Sequence, residues 1–306
     1  MIVGAGFGGL ACAIQSRIEG HEVHIFEQFD EMIKLGIRLF VHSILISGDS
    51  IGIFPNAGRF FPRWGIHDEM MKYCGVSRGW TMMRFDGVHL GDSRPPPGFA
   101  FPKDAPLYDC HRADMHRLLF ETAARMGAEL HLGSRVEEYR EDDDGAEITV
   151  NGKTWRGDVV IGADGVKSRA RVAVIGYEDK TLASGYALYR VFFDASIIKN
   201  DPLTKHLVLE DDDARTGWIG PDVHAIVATI KRGKEFNWVL THKDESGIDE
   251  SWVFPGKIQD ALKCIEGWDP VIRRVVELTP PENLLDWKLM FRDPLPTVFP
   301  STGPCF

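Results

Sequence analysis

The sequence lacks the cysteine patterns of a disulfide framework or a cysteine zinc site. It has five cysteines among 306 residues, an odd number, and they are widely spaced without a C-x-x-C pair. Small secreted domains rely on paired cysteines, and cysteine zinc sites on closely spaced ones. This absence favours a reducing compartment, so we expect a cytoplasmic protein without a bound metal.

The sequence also lacks a basic surplus and a long apolar run. Its 35 Lys and Arg are outnumbered by 45 Asp and Glu, which gives a formal net charge of −10 at pH 7. Nucleic-acid surfaces are usually basic, so we expect no nucleic-acid partner. The longest oily stretch, Leu35–Ile46, is interrupted by Arg38 and His42 and is shorter than the roughly 20 residues that span a bilayer. We therefore expect no membrane span.

Glycine, by contrast, is concentrated at the start of the chain. The fingerprint Gly4-x-Gly6-x-x-Gly9 follows the apolar residues 1–3 and precedes a helix-like apolar run. In a dinucleotide-binding βαβ unit the first glycine makes a sharp turn, the second lets backbone approach a pyrophosphate, and the third lets the helix pack on the sheet. The helix N-terminus then points its N–H groups at the phosphates. The fingerprint predicts a dinucleotide site.

A carboxylate with matching spacing supports this site. Residues 22–27 form a predicted strand that ends at Glu27, 18 positions after Gly9. The acid that holds a ribose hydroxyl lies about 20 residues beyond such a fingerprint. Glu27 is therefore the predicted ribose acid, and the alternative is a surface glutamate beside a tight turn.

Two later stretches also carry candidate chemistry. Arg112 lies at a predicted helix start, where a guanidinium can neutralise a pyrophosphate or hydrogen-bond a flavin's ribityl chain; alternatively it pairs with Asp114 or another surface acid. Residues 158–162 predict a buried strand that ends in Ala163-Asp-Gly165. This places Asp164 and Gly165 at the carboxyl edge of a sheet, where such folds bind ligands, although an ordinary turn would have the same short pattern.

In combination, the Gly4–Gly9 fingerprint, Glu27, the His111-Arg-Ala-Asp114 helix start and Gly162-Ala-Asp-Gly-x-x-Ser168 resemble the FAD-dependent aromatic hydroxylases. These are single-component flavoprotein monooxygenases similar to salicylate and para-hydroxybenzoate hydroxylases. The stretches at 184–190 and 217–222 also resemble substrate-domain strands of fungal members from secondary metabolism. The resemblance covers nearly the whole chain.

The resemblance implies an α/β fold in which a doubly wound, Rossmann-like FAD-binding domain is interleaved with a mostly antiparallel β-sheet substrate domain. The sequence pattern agrees with an antiparallel substrate domain, because the predicted strands become longer after Gly176. We expect the FAD-binding domain at residues 1–78, 102–176 and 281–306, incomplete at both ends. The substrate domain is expected at residues 79–101 and 177–280.

The resemblance also implies a role for each matching residue. Glu27 would hold the adenosine ribose and Arg112 would contact FAD, while Asp164 and Gly165 would serve both FAD and a passing NAD(P)H. Arg190 would be catalytic and orient substrate or peroxyflavin; its alternative is a solvated edge residue. Ser50 begins a segment that would pass beside the flavin. The predicted cofactor-binding residues are therefore Gly4, Gly6, Gly9, Glu27, Ser50, Arg112, Asp164 and Gly165.

The implied reaction is an NAD(P)H-driven reduction of FAD followed by O₂ addition and hydroxylation of a phenolic ring by a hydroperoxyflavin. The partners would be an aromatic small molecule and O₂. One alternative is an inactive remnant or wrongly assigned gene product that binds FAD weakly. Another is an NAD-dependent dehydrogenase, which would leave the 111–112 and 162–165 motifs unexplained.

Three departures from the family pattern qualify this interpretation. Leu35–Ile46 has no clear periodicity and lengthens the segment before Asn56, which suggests an unspliced intron or an unusual loop. Ala228 stands where several relatives carry an active-site tyrosine. The family's Gly-Asp motif should follow Leu295-Pro-Thr297, where this sequence ends, so we expect a C-terminally truncated chain that holds FAD poorly.

Overall fold

The computed structural model describes residues 1–30, 50–74, 79–93, 104–178, 180–244 and 254–294. The expectations for Leu35–Ile46 and for the sequence after Leu295 concern residues outside that part of the chain.

The described residues form seventeen strands and nine α-helices. The strands are β1 (Ile2–Val3), β2 (His24–Phe26), β3 (Ser50–Ile53), β4 (Trp80–Arg84), β5 (His89–Ser93), β6 (Tyr108–His111), β7 (Glu129–His131), β8 (Val136–Asp142), β9 (Gly145–Val150), β10 (Lys153–Gly157), β11 (Ile161–Gly162), β12 (Leu182–Asp194), β13 (Arg215–Ile219), β14 (His224–Ile230), β15 (Glu235–Lys243), β16 (Phe254–Pro255) and β17 (Leu285–Phe291). The helices are α1 (Phe7–Ile18), α2 (Pro55–Gly58), α3 (Phe60–Arg63), α4 (His67–Met70), α5 (Arg112–Arg125), α6 (Arg169–Ile175), α7 (Ser196–Lys199), α8 (Ile258–Cys264) and α9 (Pro270–Glu277).

The chain divides into two compact units. The first unit contains residues 1–44, 113–181 and 292–306, and the second contains residues 45–112 and 182–291. The two units are therefore interleaved along the sequence.

A parallel four-stranded sheet forms the centre of the first unit, in the order β11-β1-β2-β7. Ile2 pairs with Ile25 on one side and Ile161 on the other. The predicted strand at 158–162 is shorter than expected, since only its last two residues are in the sheet. Helix α1 follows β1 directly and buries Leu10, Ala13 and Ile14. This is the predicted strand-turn-helix of a nucleotide-binding unit.

The first unit also contains an antiparallel sheet and the helices α5 and α6. The stretch Asp142-Asp-Asp-Gly145 predicts a hairpin turn, and Asp142 pairs with Gly145 in the sheet β10-β9-β8. The sequence predicts an amphipathic helix that runs to about Met126 with Leu118, Leu119, Thr122 and Ala123 inward, and helix α5 buries these four residues. It ends before Gly127, whose φ of +86° is a backbone conformation that glycine adopts at little cost.

An eight-stranded sheet dominates the second unit, in the order β16-β17-β12-β15-β14-β13-β4-β5. All neighbouring strands within this sheet pair antiparallel, except β13 and β4, which pair parallel. One face packs against α8 and α9 through a large apolar core that includes Trp218, Trp238 and Ile272. The α/β fold class, with a Rossmann-like first unit and a mostly antiparallel second unit, is confirmed.

The other face of this sheet meets the small antiparallel sheet of β3 and β6. Side chains alternate across a strand, so Phe192, Asn237 and Arg215 point away from the helix-covered core. His111 of β6 packs edge-on against Phe192, with ring centroids 5.0 Å apart. We call this the polar face, defined by Arg190, Arg215 and Asn237 of the large sheet together with Ser50 and Asp109.

Two predicted elements differ from the structure. The sequence predicts a helix over 57–73 that is interrupted at Pro62. The structure instead breaks this segment at Arg59 and around Gly65, whose φ is +72°, and Pro62, which lacks a backbone donor, lies within the short helix α3. The sequence also predicts a strand over 206–210, which is wrong, since Lys205–Leu207 is a 3-10 helix. The Asp201 carboxylate accepts from the backbone N–H groups of Leu203 and Thr204 and so favours a turn in this segment.

No described helix is long and apolar enough to cross a membrane. Four cysteines lie in the described residues, and all four are free thiols: Cys12, Cys74, Cys110 and Cys264.

Candidate active site

The glycine-rich turn in the first unit is shaped by close backbone packing. Gly4 has a φ of +101°, and a Cβ there would overlap the carbonyl oxygen of Ala163. A Cβ at Gly9 would overlap the carbonyl oxygen of Gly4. A Cβ at Gly6 would meet no protein atom within 4 Å. Gly4 and Gly9 are therefore required by packing, whereas Gly6 leaves space beside the N-terminus of α1 for a ligand to approach.

This packing joins two motifs that are far apart in sequence. The Ala163 N–H donates to the Val3 carbonyl at 2.8 Å, and β11 pairs with β1. The turn of Asp164 and Gly165, where Gly165 has a φ of +79°, therefore lies beside the Gly4 turn. Both turns are at the carboxyl edge of one parallel sheet, the edge at which doubly wound folds bind nucleotides.

Glu27 lies at the same edge and is 4% exposed. Its Oε2 accepts from the Ala5 N–H at 2.8 Å, and its Oε1 accepts from the Phe29 N–H at 3.0 Å. Each carboxylate oxygen can accept a second hydrogen bond. Glu27 thus holds the glycine-rich loop and retains the capacity to bind a ribose hydroxyl, which excludes the alternative of an exposed surface glutamate.

The Asp164 carboxylate organises its own turn. Oδ1 accepts from the Ser168 hydroxyl at 2.5 Å, and Oδ2 accepts from the N–H groups of Arg169 at 2.7 Å and Ala170 at 3.1 Å. The Tyr139 hydroxyl donates to Oδ2 at 3.4 Å. Burial, with the nearby Asp164 charge, raises the pKa of Tyr139 above its usual range. Asp164 therefore fixes the shape of the turn that holds Gly165.

His116 is a residue of this site that the sequence reasoning missed. Its Nε2–H donates to the Ala5 carbonyl at 2.7 Å, and its ring packs edge-on against Phe7 with centroids 5.7 Å apart. His116 is buried on α5 and so ties this helix to the glycine-rich loop. The sequence signal that could have indicated His116 is its position five residues after His111, within the predicted helix start.

Ser50 and Arg112 belong to the second unit. Ser50 pairs with His111 in the register of β3 and β6, and Arg112 follows His111 directly. The Ser50 hydroxyl accepts from the Asn237 side-chain amide at 3.0 Å. Asn237 is buried, and its Oδ1 accepts no hydrogen bond from the described residues. A buried acceptor of this kind suits a ligand donor, and no sequence pattern indicated a role for Asn237.

Arg190 is 8% exposed in the interior of the large sheet, between β17 and β15. Its guanidinium carbon lies 4.5 Å from the centroid of the Trp287 ring, a cation–π distance. Arg190 is therefore not a solvated edge residue. The stacking on Trp287 fixes the plane in which the guanidinium N–H groups can meet a ligand.

A buried ion pair joins the two sheets of the second unit. The Arg215 guanidinium donates to the Asp109 carboxylate, and both side chains are largely buried. Asp213 lies nearby, is 5% exposed and accepts from the Gly233 N–H at 3.0 Å through Oδ1. Burial and the charges of Asp109 and Asp212 raise the pKa of Asp213 to about 6, against the lowering effect of the Gly233 N–H.

A cavity of about 610 Å³ adjoins these charges within the second unit. Its lining includes Trp80, Asp213, Arg215, Trp218 and Asp269. This volume is typical of small-molecule pockets.

The sequence matches two known families. The NAD(P)-binding Rossmann-like domain pattern matches residues 2–32, and the FAD binding domain pattern matches residues 99–280, which is more than half of the chain. The chain belongs to the FAD binding domain family. The predicted resemblance to FAD-dependent hydroxylases and the predicted FAD cofactor are confirmed.

Similar proteins agree with this family. The chain is 28% identical over 305 residues to the FAD-dependent monooxygenase OpS4 of Beauveria bassiana. This match covers 97% of this chain and 66% of that protein. It is 32% identical over 269 residues to the FAD-dependent monooxygenase fmqB of Aspergillus fumigatus, over 84% of this chain and 62% of that protein. The chain thus spans slightly less than two thirds of the length of these relatives.

Solved structures share the fold. The structure of CtdE in complex with FAD and a substrate is 27% identical and matches with a TM-score of 0.82, over 98% of this chain and 71% of that one. FqzB is 30% identical with a TM-score of 0.77, over 97% of this chain and 65% of that one. A salicylate hydroxylase substrate complex, at 22% identity and a TM-score of 0.72, shows the same fold over 96% of this chain and 69% of that one.

Proposed function

We propose that this chain is the FAD-binding and substrate-covering part of an oxidoreductase, an FAD-dependent monooxygenase that hydroxylates a phenolic small molecule with NAD(P)H and O₂. The observation that carries the proposal is the buried Asn237 of the polar face, whose Oδ1 accepts no hydrogen bond from the described residues, although polar groups are costly to bury without partners. A dehydrogenase would need the glycine fingerprint of the first unit but would leave this face without a role.

The first unit has the groups that the adenosine end of FAD requires. The open space at Gly6 admits a pyrophosphate to the N-terminus of α1, where N–H groups and the helix dipole favour an anion. Glu27 accepts hydrogen bonds from the ribose hydroxyls. The turn that Asp164 fixes offers its backbone at Gly165, and Gly4 and Gly9 allow both turns to pack together.

The resemblance assigns Arg112 to the phosphates or the ribityl chain of FAD and Ser50 to a segment beside the cofactor. A bound FAD would supply the redox chemistry with NAD(P)H and O₂. Arg190, held by Trp287, orients the substrate and stabilises a phenolate because its charge is permanent. Asn237 accepts a hydrogen bond from the substrate.

The experiment is a reconstitution of the chain with FAD. Because we expect the chain to hold FAD poorly, FAD is added at a concentration that fills a weak site. We then expect NAD(P)H oxidation that is faster when a suitable phenol is present, and a product that carries one oxygen atom from ¹⁸O₂. Yellow protein without an oxygenated product across a broad phenol panel would favour an FAD-binding remnant. Reduction of NAD⁺ by an alcohol without bound flavin would favour a dehydrogenase and contradict the proposal.

Two further properties belong to the proposal. The free thiols support a cytoplasmic location in a reducing compartment. The partners are then an aromatic small molecule and O₂, with no nucleic acid, in agreement with the acidic composition. The predicted domain bounds of 1–78, 102–176 and 281–306 for FAD and 79–101 and 177–280 for substrate also remain part of the proposal.

A further inference from the structure

A cluster of metal-ligating side chains lies in the first unit, away from the glycine-rich turn. His24 begins β2, and Glu129 begins the adjacent parallel strand β7, directly opposite it. His131 lies two residues further along β7 and therefore on the same face as Glu129. His24 and Glu129 begin their strands, whereas His131 ends β7, and its backbone carbonyl accepts from the Glu27 N–H at 2.9 Å. The side chains differ in direction, because the His131 ring packs against Trp155 while the Glu27 carboxylate accepts from the Ala5 N–H of the glycine-rich loop.

The distances in this cluster match those between ligands of one small cation. Nδ1 of His24 lies 3.1 Å from Nε2 of His131 and 3.4 Å from Oε2 of Glu129. All three ligand atoms lie within 4.8 Å of one another. Tetrahedral zinc with bonds of about 2.05 Å places its ligands about 3.3 Å apart. Small side-chain rotations are enough to direct the three atoms at a common point.

A second carboxylate orients the first histidine. Nε2 of His24 lies 3.1 Å from Oε1 of Glu22, and this contact orients the ring so that Nδ1 faces His131 and Glu129. Metal-ligating histidines are commonly held in this way by a carboxylate on the other ring nitrogen.

The surroundings also suit a divalent cation. Glu22 and Glu129 contribute negative charge. The nearby cation Lys153 is engaged by Trp155, since its Nζ lies 4.3 Å from the centroid of that ring, a cation–π distance. Trp155 covers one side, with its ring centroid 4.8 Å from that of His131.

We propose that His24, His131 and Glu129 bind a zinc ion that clips β7 to β2, with Glu22 as a positioning residue and water as the fourth ligand. Two imidazoles and one carboxylate form a ligand set that zinc accepts. On binding, His131 exchanges its Nε2 proton for one on Nδ1 through solvent, and Nε2 then ligates. The clip stabilises the first unit and does not depend on the proposed enzymatic function.

The test uses the full chain, treated with a chelator and then titrated with Zn²⁺ alone by competition with a chromophoric chelator. We expect one site per chain. His131→Gln and His24→Gln should each weaken binding more than 100-fold, and Glu22→Gln should weaken it by about 10–100-fold through loss of orientation. His89→Gln is the matched control, since His89 lies 3.2 Å from the carboxylate of Asp92 but is not part of the cluster; it should bind as wild type.

A second readout separates a metal site from a structural role of the histidines. Zn²⁺ should raise the melting temperature of wild type and His89→Gln but not of His131→Gln. Unchanged Zn²⁺ affinity in His24→Gln, His131→Gln and Glu129→Gln would overturn the proposal. If one variant does not fold, the other two decide the outcome.

Discussion

Glu27 illustrates at the residue scale how one carboxylate can serve both the protein loop and a ligand. Its two oxygens already accept from the N–H groups of Ala5 and Phe29, so the side chain is fixed before a cofactor arrives. A preorganised acceptor loses little entropy when it binds a ribose hydroxyl. The same two contacts mean that a truncated side chain also loosens the loop.

We predict that Glu27→Ala weakens FAD binding by about 1–3 kcal/mol, the usual range for a hydrogen bond to a charged group. The measurement is a fluorescence titration with FAD and with an FAD analogue that lacks the adenosine ribose hydroxyls. Wild type should prefer FAD to the analogue, and the variant should bind both alike. Equal preference in both proteins would show that Glu27 acts only on the loop.

Arg190 carries the second prediction. Its stacking on Trp287 and its burial leave a fixed charge on the polar face. In an active protein, Arg190→Met should lower hydroxylation by about 100-fold or more and uncouple NAD(P)H oxidation from product formation, since a lost charged hydrogen bond costs about 1.5–3 kcal/mol and more when its partner stays buried. Arg190→Lys should recover part of the coupling. If hydroxylation and its coupling are both untouched in Arg190→Met, then Arg190 is a structural residue.

Asp213 carries a prediction about pH. Its pKa in the folded chain is raised to about 6, chiefly by burial, whereas an unfolded aspartate has a pKa of about 3.9. The folded state therefore favours the protonated carboxyl, and stability from this residue is present at low pH and lost as the pH rises from about 4 through about 6. Asp213→Asn should thus raise the unfolding free energy at pH 7.5 by an amount on the order of 1–3 kcal/mol.

The check is chemical denaturation of both proteins between pH 4.5 and pH 8. The difference between them should grow as the pH rises and then level off above about pH 7. Asparagine retains an acceptor for the Gly233 N–H, so this contact does not confound the comparison. A difference that is constant over this range would contradict the raised pKa.

At the scale of elements, the glycine-rich turn between β1 and α1 combines two requirements. Gly4 and Gly9 are needed because protein backbone lies where a Cβ would be, whereas Gly6 faces space. The three positions thus differ in whether the fold or the ligand excludes a side chain.

This difference can be measured with a matched pair of substitutions. Gly9→Ala should destabilise the chain by several kcal/mol, as overpacking against fixed backbone does. Gly6→Ala should leave unfolding almost unchanged but weaken FAD binding by more than tenfold, because the added methyl group occupies the approach to the helix N-terminus. Full FAD affinity in a stable Gly6→Ala protein would place the pyrophosphate elsewhere.

Helix α5 shows how one element can serve several features. Its first residue, Arg112, belongs to the second unit, and its remaining residues belong to the first. Within the first unit, His116 binds the Ala5 carbonyl, and the apolar residues Leu118 and Leu119 form part of the core. The predicted amphipathic pattern located this helix correctly. The His116 contact was missed because it joins residues 111 positions apart.

At the scale of the whole molecule, a bound cofactor should report on the fold. A ligand that binds only the folded state stabilises it by RT ln(1 + [L]/Kd), about 2.7 kcal/mol at a concentration of 100 times Kd. We predict that FAD raises the melting temperature of the chain in a concentration-dependent way. Riboflavin, which lacks the phosphates and adenosine, should have little effect, and an equal shift with riboflavin would show that the first unit does not hold the adenosine end.

The sequence by itself determined the local features of this protein. Glycine spacing and apolar periodicity identified the β1–α1 turn, the acid after β2 and helix α5, because each depends on residues close together in the chain. The combination of spaced motifs identified the family, since each motif alone is too short to be specific.

Only the tertiary structure decided which distant side chains meet. The Arg215–Asp109 pair, the Asn237–Ser50 contact and the His24 cluster with Glu129 and His131 join residues from about 100 to nearly 190 positions apart. Strand order and register set these contacts, and a single sequence does not encode register in any local pattern. The pKa of Asp213 has the same origin, because burial and neighbouring charges exist only after the strands have paired.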